Sequence, residues 1–116
     1  MKRDQTIYLQ HILDAIDRID EYLEGVDEKA FQQHHLIQDG VIRQLEIIGE
    51  AVRHISEELR ETYAHIPWHD IAAMRDKLIH DYFGVDIDKV WLTACDDIPV
   101  FKKEVVKILS ELKGHR

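Results

Sequence analysis

The densest cluster of chemically capable side chains is Arg75-Asp76-Lys77-Leu78-Ile79-His80-Asp81-Tyr82. An Arg, a His and a Tyr lie there within eight residues. Histidine titrates near neutral pH and can take or give a proton. Arginine can hold a phosphate and stabilise the extra charge of a phosphorane-like transition state. The cluster could therefore do acid–base chemistry on a phosphodiester. Spacing alone leaves a second reading open. Cations are favoured at any helix C-terminus, and a Tyr-Phe pair behind them can simply be core.

Other constellations are weaker. The chain has eight histidines, but His65 and His69 are separated by Pro67 and His34-His35 point to different faces. Neither His-Glu-x-x-His nor Glu-x-x-His occurs, so no metal is expected. Cys95, the single cysteine, lies beside Ala94 at the edge of an apolar stripe and reads as a small boundary residue. It excludes an internal disulfide and fits a reducing, cytoplasmic setting. No Gly-rich phosphate loop is present.

The elements that must position the cluster read as helices. Leu9, Ile12, Ile16, Ile19 and Leu23 form one stripe over residues 4–23, with Gly25 as a stop. Asp27 to Phe31 can make one turn. Ile37, Val41, Leu45, Ile48, Val52, Ile55 and Leu59 predict one long helix from His34 to Glu61, all within about 40° of one line. Gly49 inside it points to a close helix approach. Arg43, Glu46, Glu50, His54 and Glu57 lie opposite that stripe. They read equally as a solvated face or, with Leu36 and Ile47 nearby, as a partner surface. Pro67 starts a third helix, Trp68 to Asp81, with Ile71, Met74 and Leu78 inward. Asp86 or Asp88 can cap a fourth, whose stripe runs from Trp91 to Leu112 with a kink or break expected near Pro99. The 116 residues thus form one domain, residues 1–116, most simply an all-α antiparallel four-helix bundle. No apolar run reaches the ~20 residues of a membrane span, and no secretory leader is expected.

Three blocks, in order, resemble the HepT-like family of HEPN domains. They are Arg43 to Ala51, Ile66 to Asp86, and Val90-Trp91 with Asp97-Ile98-Pro99. The family's motif is an Arg, four to six residues, a His, one residue and a Tyr, matched here by Arg75, His80 and Tyr82. The resemblance implies an HEPN-like bundle that dimerises. It implies a cytoplasmic ribonuclease toxin of a toxin–antitoxin pair that cuts RNA with no metal or cofactor, leaving 2′,3′-cyclic phosphate and 5′-hydroxyl ends. The partner it implies is a minimal nucleotidyltransferase antitoxin able to transfer AMP onto Tyr82. His80 would move protons and Arg75 would hold the phosphate, with Asp76, Lys77, Arg43 and Glu50 in support. Asp76 stands where many members have asparagine, and Ala73 where glycine is common. The alternative is a non-catalytic subunit that binds nucleotide or substrate for a nucleotidyltransferase complex.

Geometry qualifies this. Arg75 and His80 are five residues apart, about 140° around a helix. Either the helix ends near Ile79 and His80 turns back, or two chains meet across a two-fold axis. The second is the expectation. The net charge of −8 excludes a protein that coats RNA. It leaves room for a small focused site, because residues 1–30 hold eight acids against four bases while the motif is balanced.

Overall fold

In the computed structural model, residues 4–80 and 84–114 are described. Among them the chain is helical, with no strand. Seven α-helices follow in order: α1 (Thr6–Leu23), α2 (Glu28–Gln33), α3 (His35–Arg53), α4 (Glu57–Thr62), α5 (Trp68–His80), α6 (Ile87–Leu92) and α7 (Ile98–Gly114), with a π-helical segment, Thr93–Asp97, joining the last two. The all-α bundle is as expected.

The core belongs mainly to α1, α3 and α7. Leu9, Ile12, Ile16 and Ile19 of α1 meet Val41, Leu45, Ile48 and Val52 of α3, all essentially without exposure. Val105 and Ile108 of α7 complete the packing. The apolar stripes of the sequence are thus the buried faces. Gly25, at φ 71°, turns the chain after α1, a backbone conformation that glycine reaches without a Cβ clash. Asp27 then caps α2 by accepting from the Ala30 N–H at 2.8 Å, and Phe31 anchors that short helix in the core against Trp91.

One element departs from the sequence reading. The long second helix does not run to Glu61. It stops at Arg53, and Ser56 caps a separate α4 by accepting from the Leu59 N–H at 3.1 Å. Arg60 reaches back across the break to the carbonyls of Val52 (2.7 Å) and Ile55 (3.3 Å). Ile55 and Leu59 remain buried beyond the break, which is why the apolar rhythm conceals it.

The disturbance near Pro99 takes a specific form. The Ile98 N–H bonds the Thr93 carbonyl, five residues back. Proline cannot donate and crowds the carbonyl four residues before it. The wider π turn just ahead of Pro99 relieves that crowding without ending the apolar stripe. Asp86 is the cap of α6, accepting from the Lys89 N–H at 3.2 Å.

Candidate functional site

Helix α5 carries Arg75 to His80 and lies along α3. Gly49 is what lets it come close. A Cβ there would stand 2.7 Å from the Arg75 Cβ and 3.2 Å from the Ile71 carbonyl oxygen. The expected close approach at Gly49 is therefore made by the motif helix itself. Ile47 packs partly against the core, whereas Leu36 is exposed. Part of the α3 face read as outward is thus covered by α5.

Side chains from the two helices join at this seam. Arg75 Nε lies 3.0 Å from Glu50 Oε1, and its Nη1 donates to Asp76 Oδ1 at 3.1 Å. Arg53 Nη2 donates to the other oxygen, Asp76 Oδ2, at 2.6 Å. Glu50 Oε2 is 3.2 Å from His54 Nε2. The His54 ring stacks on Tyr8 of α1, with centroids 5.3 Å apart and planes within 15°. A chain of polar contacts therefore runs Arg53–Asp76–Arg75–Glu50–His54 and ends on the ring of Tyr8. The Arg53 guanidinium, and secondarily Arg75, holds the Asp76 carboxyl below its usual range. Desolvation opposes this and loses.

The residues expected from the sequence are only partly gathered. Arg75, Asp76 and Glu50 meet directly. Arg43 is mostly exposed and pairs with Glu46 at 3.5 Å, outside this network. Lys77 instead lines a cavity of about 180 Å³, floored by Leu45, Met74, Leu78 and Val90, with Lys89 at its edge. His80 is exposed at the last position of α5, which continues to it as a regular helix. It does not turn back after Ile79, so it sits about 140° around the helix from Arg75. Tyr82, the expected modification site, and Asp81 lie outside the described residues.

Arg53 and Tyr8 were not legible as site residues. Arg53 follows Glu50 by three positions, which puts it on nearly the same face of α3, the one available hint. Nothing in the spacing of Tyr8 indicates its contact with His54. Elsewhere, His65 pairs with Glu104 of α7 at 2.9 Å, and Cys95 is exposed with its thiol pushed up by desolvation and by Asp96. Among the described residues no group of three or more His, Cys, Asp or Glu converges to hold a metal ion. No described helix is long and apolar enough to cross a membrane.

Comparison with known proteins adds an independent line. The model of the family described as "Ribonuclease HepT-like" matches residues 12–108. A Methanocaldococcus jannaschii protein named "Gamma-glutamylcyclotransferase and putative RNase" is 48% identical over 116 residues. That alignment takes in 100% of this chain but 52% of the relative, so the chain spans about half that protein's length. A "Putative RNase" of the same organism is 45% identical over 113 residues, covering 97% of this chain and 93% of the relative. A "Probable ribonuclease HepT" of Thermococcus cleftensis is 43% identical over 108 residues, covering 93% and 98%. No solved structure matches the chain.

Proposed function

Because the chain belongs to the HepT-like ribonuclease family, we propose that it is an endoribonuclease whose side chains alone carry the reaction, working as a homodimer in the cytoplasm. The observation that carries this reading is the split of the motif. Arg75 is pinned at the α3–α5 seam with Glu50, while His80 stands exposed on another side of the same helix. One chain therefore presents a phosphate-holding group and a proton-transfer group that face apart. A two-fold axis beside α5 would bring the Arg75 and His80 of both chains to one phosphodiester. Ile71, Met74 and Leu78 are only partly buried in the single chain, so α5 has apolar surface left to cover.

In that dimer one His80 takes the proton from the ribose 2′-hydroxyl. The 2′-oxygen bonds to phosphorus, the bond from phosphorus to the 5′-oxygen breaks, and the second His80 protonates the leaving oxygen. Arg75 stabilises the negative charge that builds on the phosphoryl oxygens. The products are a 2′,3′-cyclic phosphate and a 5′-hydroxyl end. The chain would act as the toxin of a toxin–antitoxin pair, neutralised by a minimal nucleotidyltransferase that adds AMP to the Tyr82 hydroxyl. An added phosphodiester two residues from His80 would occupy the anion site with the same charge as RNA.

Expression of the chain should arrest growth and cut RNA, and His80→Ala should do neither. An equally toxic alanine variant, or a harmless wild type that leaves RNA intact, would defeat the catalytic reading. If Arg75→Ala abolishes nucleotide binding while RNA stays intact throughout, the chain is instead a nucleotide-binding subunit of a nucleotidyltransferase complex. For the modification, co-expression with the antitoxin should add the mass of AMP to the peptide holding Tyr82.

A further inference from the structure

Asp76 lies between two guanidiniums, and that arrangement gives Arg53 a task. Arg53 donates to Oδ2 and Arg75 to Oδ1 of the same carboxylate. Two like charges seldom settle side by side. Here the carboxylate offsets their repulsion and holds both guanidiniums beside one small anionic group. Neither guanidinium is used up by this. A guanidinium has five N–H donors in a rigid fork. Arg53 engages Asp76 through Nη2, and Arg75 engages Glu50 and Asp76 through Nε and Nη1. The remaining donors have no partner among the described residues. The side chains are 44% and 33% exposed. A phosphate, like a carboxylate, offers two oxygens in a V that two such forks can meet together.

Resting on the ribonuclease reading above, we propose that Arg53 is a further phosphate-binding residue, forming with Arg75 a two-arginine clamp for a phosphate of the RNA strand. Asp76 is the bridge that sets the clamp. An aspartate suits this place, because a neutral amide has one acceptor oxygen in place of two and no charge to offset two cations. The clamp also shows how a chain with net charge −8 can hold RNA. The clamp sits in a cluster whose acids each serve an arginine, so its unused donors act locally.

The test is a salt titration with a short, fluorescently labelled single-stranded RNA carrying 2′-O-methyl riboses, which cannot be cut. Arg53→Gln should bind this RNA roughly ten-fold more weakly, with a slope of log affinity against log salt shallower by about 0.7, the loss of one phosphate contact. On cuttable RNA it should raise KM and leave kcat within about two-fold, as loss of uniform binding does. Arg53→Lys keeps the cation in the last turn of α3. It should retain the wild-type slope but bind more weakly than wild type, because the fork is lost. Circular dichroism checks that each variant is folded, and the lysine variant decides the matter if the glutamine variant is not. Unchanged affinity and slope in Arg53→Gln overturn the clamp, as does wild-type affinity in Arg53→Lys. A loss of kcat at constant KM also overturns it and makes Arg53 a positioning residue acting through Asp76. Failure of the wild type to cut RNA counts against the nuclease reading alone, since the clamp is read on RNA that cannot be cut. Failure of the wild type to bind that RNA overturns the clamp.

Discussion

The seam between α3 and α1 and the seam between α3 and α5 are built from different materials. On the α1 side the contact is continuous and apolar. Leu9, Ile12, Ile16 and Ile19 are sealed against Val41, Leu45, Ile48 and Val52. On the α5 side only Trp68, at the helix start, is fully buried. Ile71, Met74 and Leu78 are half covered, and the rest of the seam is a missing Cβ at Gly49 and a string of ion pairs. The first seam is stabilised by water exclusion, which does not depend on direction. The second depends on shape and charge, and so fixes where Arg75 points. The difference separates the part that makes the protein fold from the part that sets Arg75 and Asp76 at its surface.

Substitutions should expose that separation. Ile16→Ala, in the apolar seam, should cost about 2–5 kcal/mol in a denaturant melt. Met74→Ala, in the half-covered seam, should cost clearly less by the same measurement, because less surface leaves water there on folding. Equal losses would mean that α5 is as firmly packed as α1. Amide hydrogen exchange gives the same comparison without mutation, with α5 opening at lower free energy than α1 and α3.

Gly49→Ala acts on the second seam alone. The new methyl would lie 2.7 Å from the Arg75 Cβ, so α5 has to move away. About 1–3 kcal/mol of overpacking is expected, together with loss of the Arg75–Glu50 contact. RNA cleavage should then fall at temperatures where the variant is still fully folded. Full cleavage by a folded Gly49→Ala would show that the seam has slack and that Arg75 does not need this registration.

The two seams were also unequally legible. Apolar periodicity located α1, the start of α3 and α7, because burial there follows one residue every three or four along a single helix. It missed the stop at Arg53, since Ile55 within the break and Leu59 after it stay buried. Gly49 could be read as a close approach, and Pro99 as a disturbance, but neither the neighbour nor the π turn follows from local sequence. The site was half readable. Arg75, His80 and Tyr82 stand out through the family resemblance and not by spacing alone, whereas the contacts of Arg75 with Glu50 and of Asp76 with Arg53 join residues more than twenty positions apart. Asp76 looked like a tolerable exchange for asparagine. Its place between two arginines is visible only once α3 and α5 are side by side.

Acid should loosen the α5 seam before the apolar one. Asp76 is held below its ordinary value, chiefly by its hydrogen bond from Arg53. A carboxyl depressed by folding adds stability above its unfolded pKa, near 3.9. That stability is lost as pH falls through the lower folded value. Asp76→Asn removes this dependence, so its thermal midpoint should fall less steeply than that of the wild type below about pH 4. The side chain is half exposed, so the effect is modest. Parallel curves for the two proteins would mean that the Arg53–Asp76 pair is screened to insignificance.

Alkali should act on the other side of the molecule. Tyr63, at the end of α4, donates its hydroxyl proton to Glu111 of α7. That hydrogen bond, reinforced by desolvation and the charge of Glu111, pushes the phenol up to about 12. A group raised by folding contributes stability that is fully present below its unfolded pKa, near 10, and that is lost as pH rises through the folded value. Ultraviolet titration should therefore show one of the phenols ionising last, and Tyr63→Phe should abolish that step. The clasp is near the surface, so Tyr63→Phe should change the melting temperature less than Ile16→Ala or Gly49→Ala does. Its direction is what matters. If the clasp and the Arg75–Glu50 seam are separate, Tyr63→Phe should bind RNA at neutral pH as tightly as the wild type. Weaker RNA binding by a folded Tyr63→Phe would mean that α7 and α5 are coupled through the core, and that the scaffold and the motif helix are not separable after all.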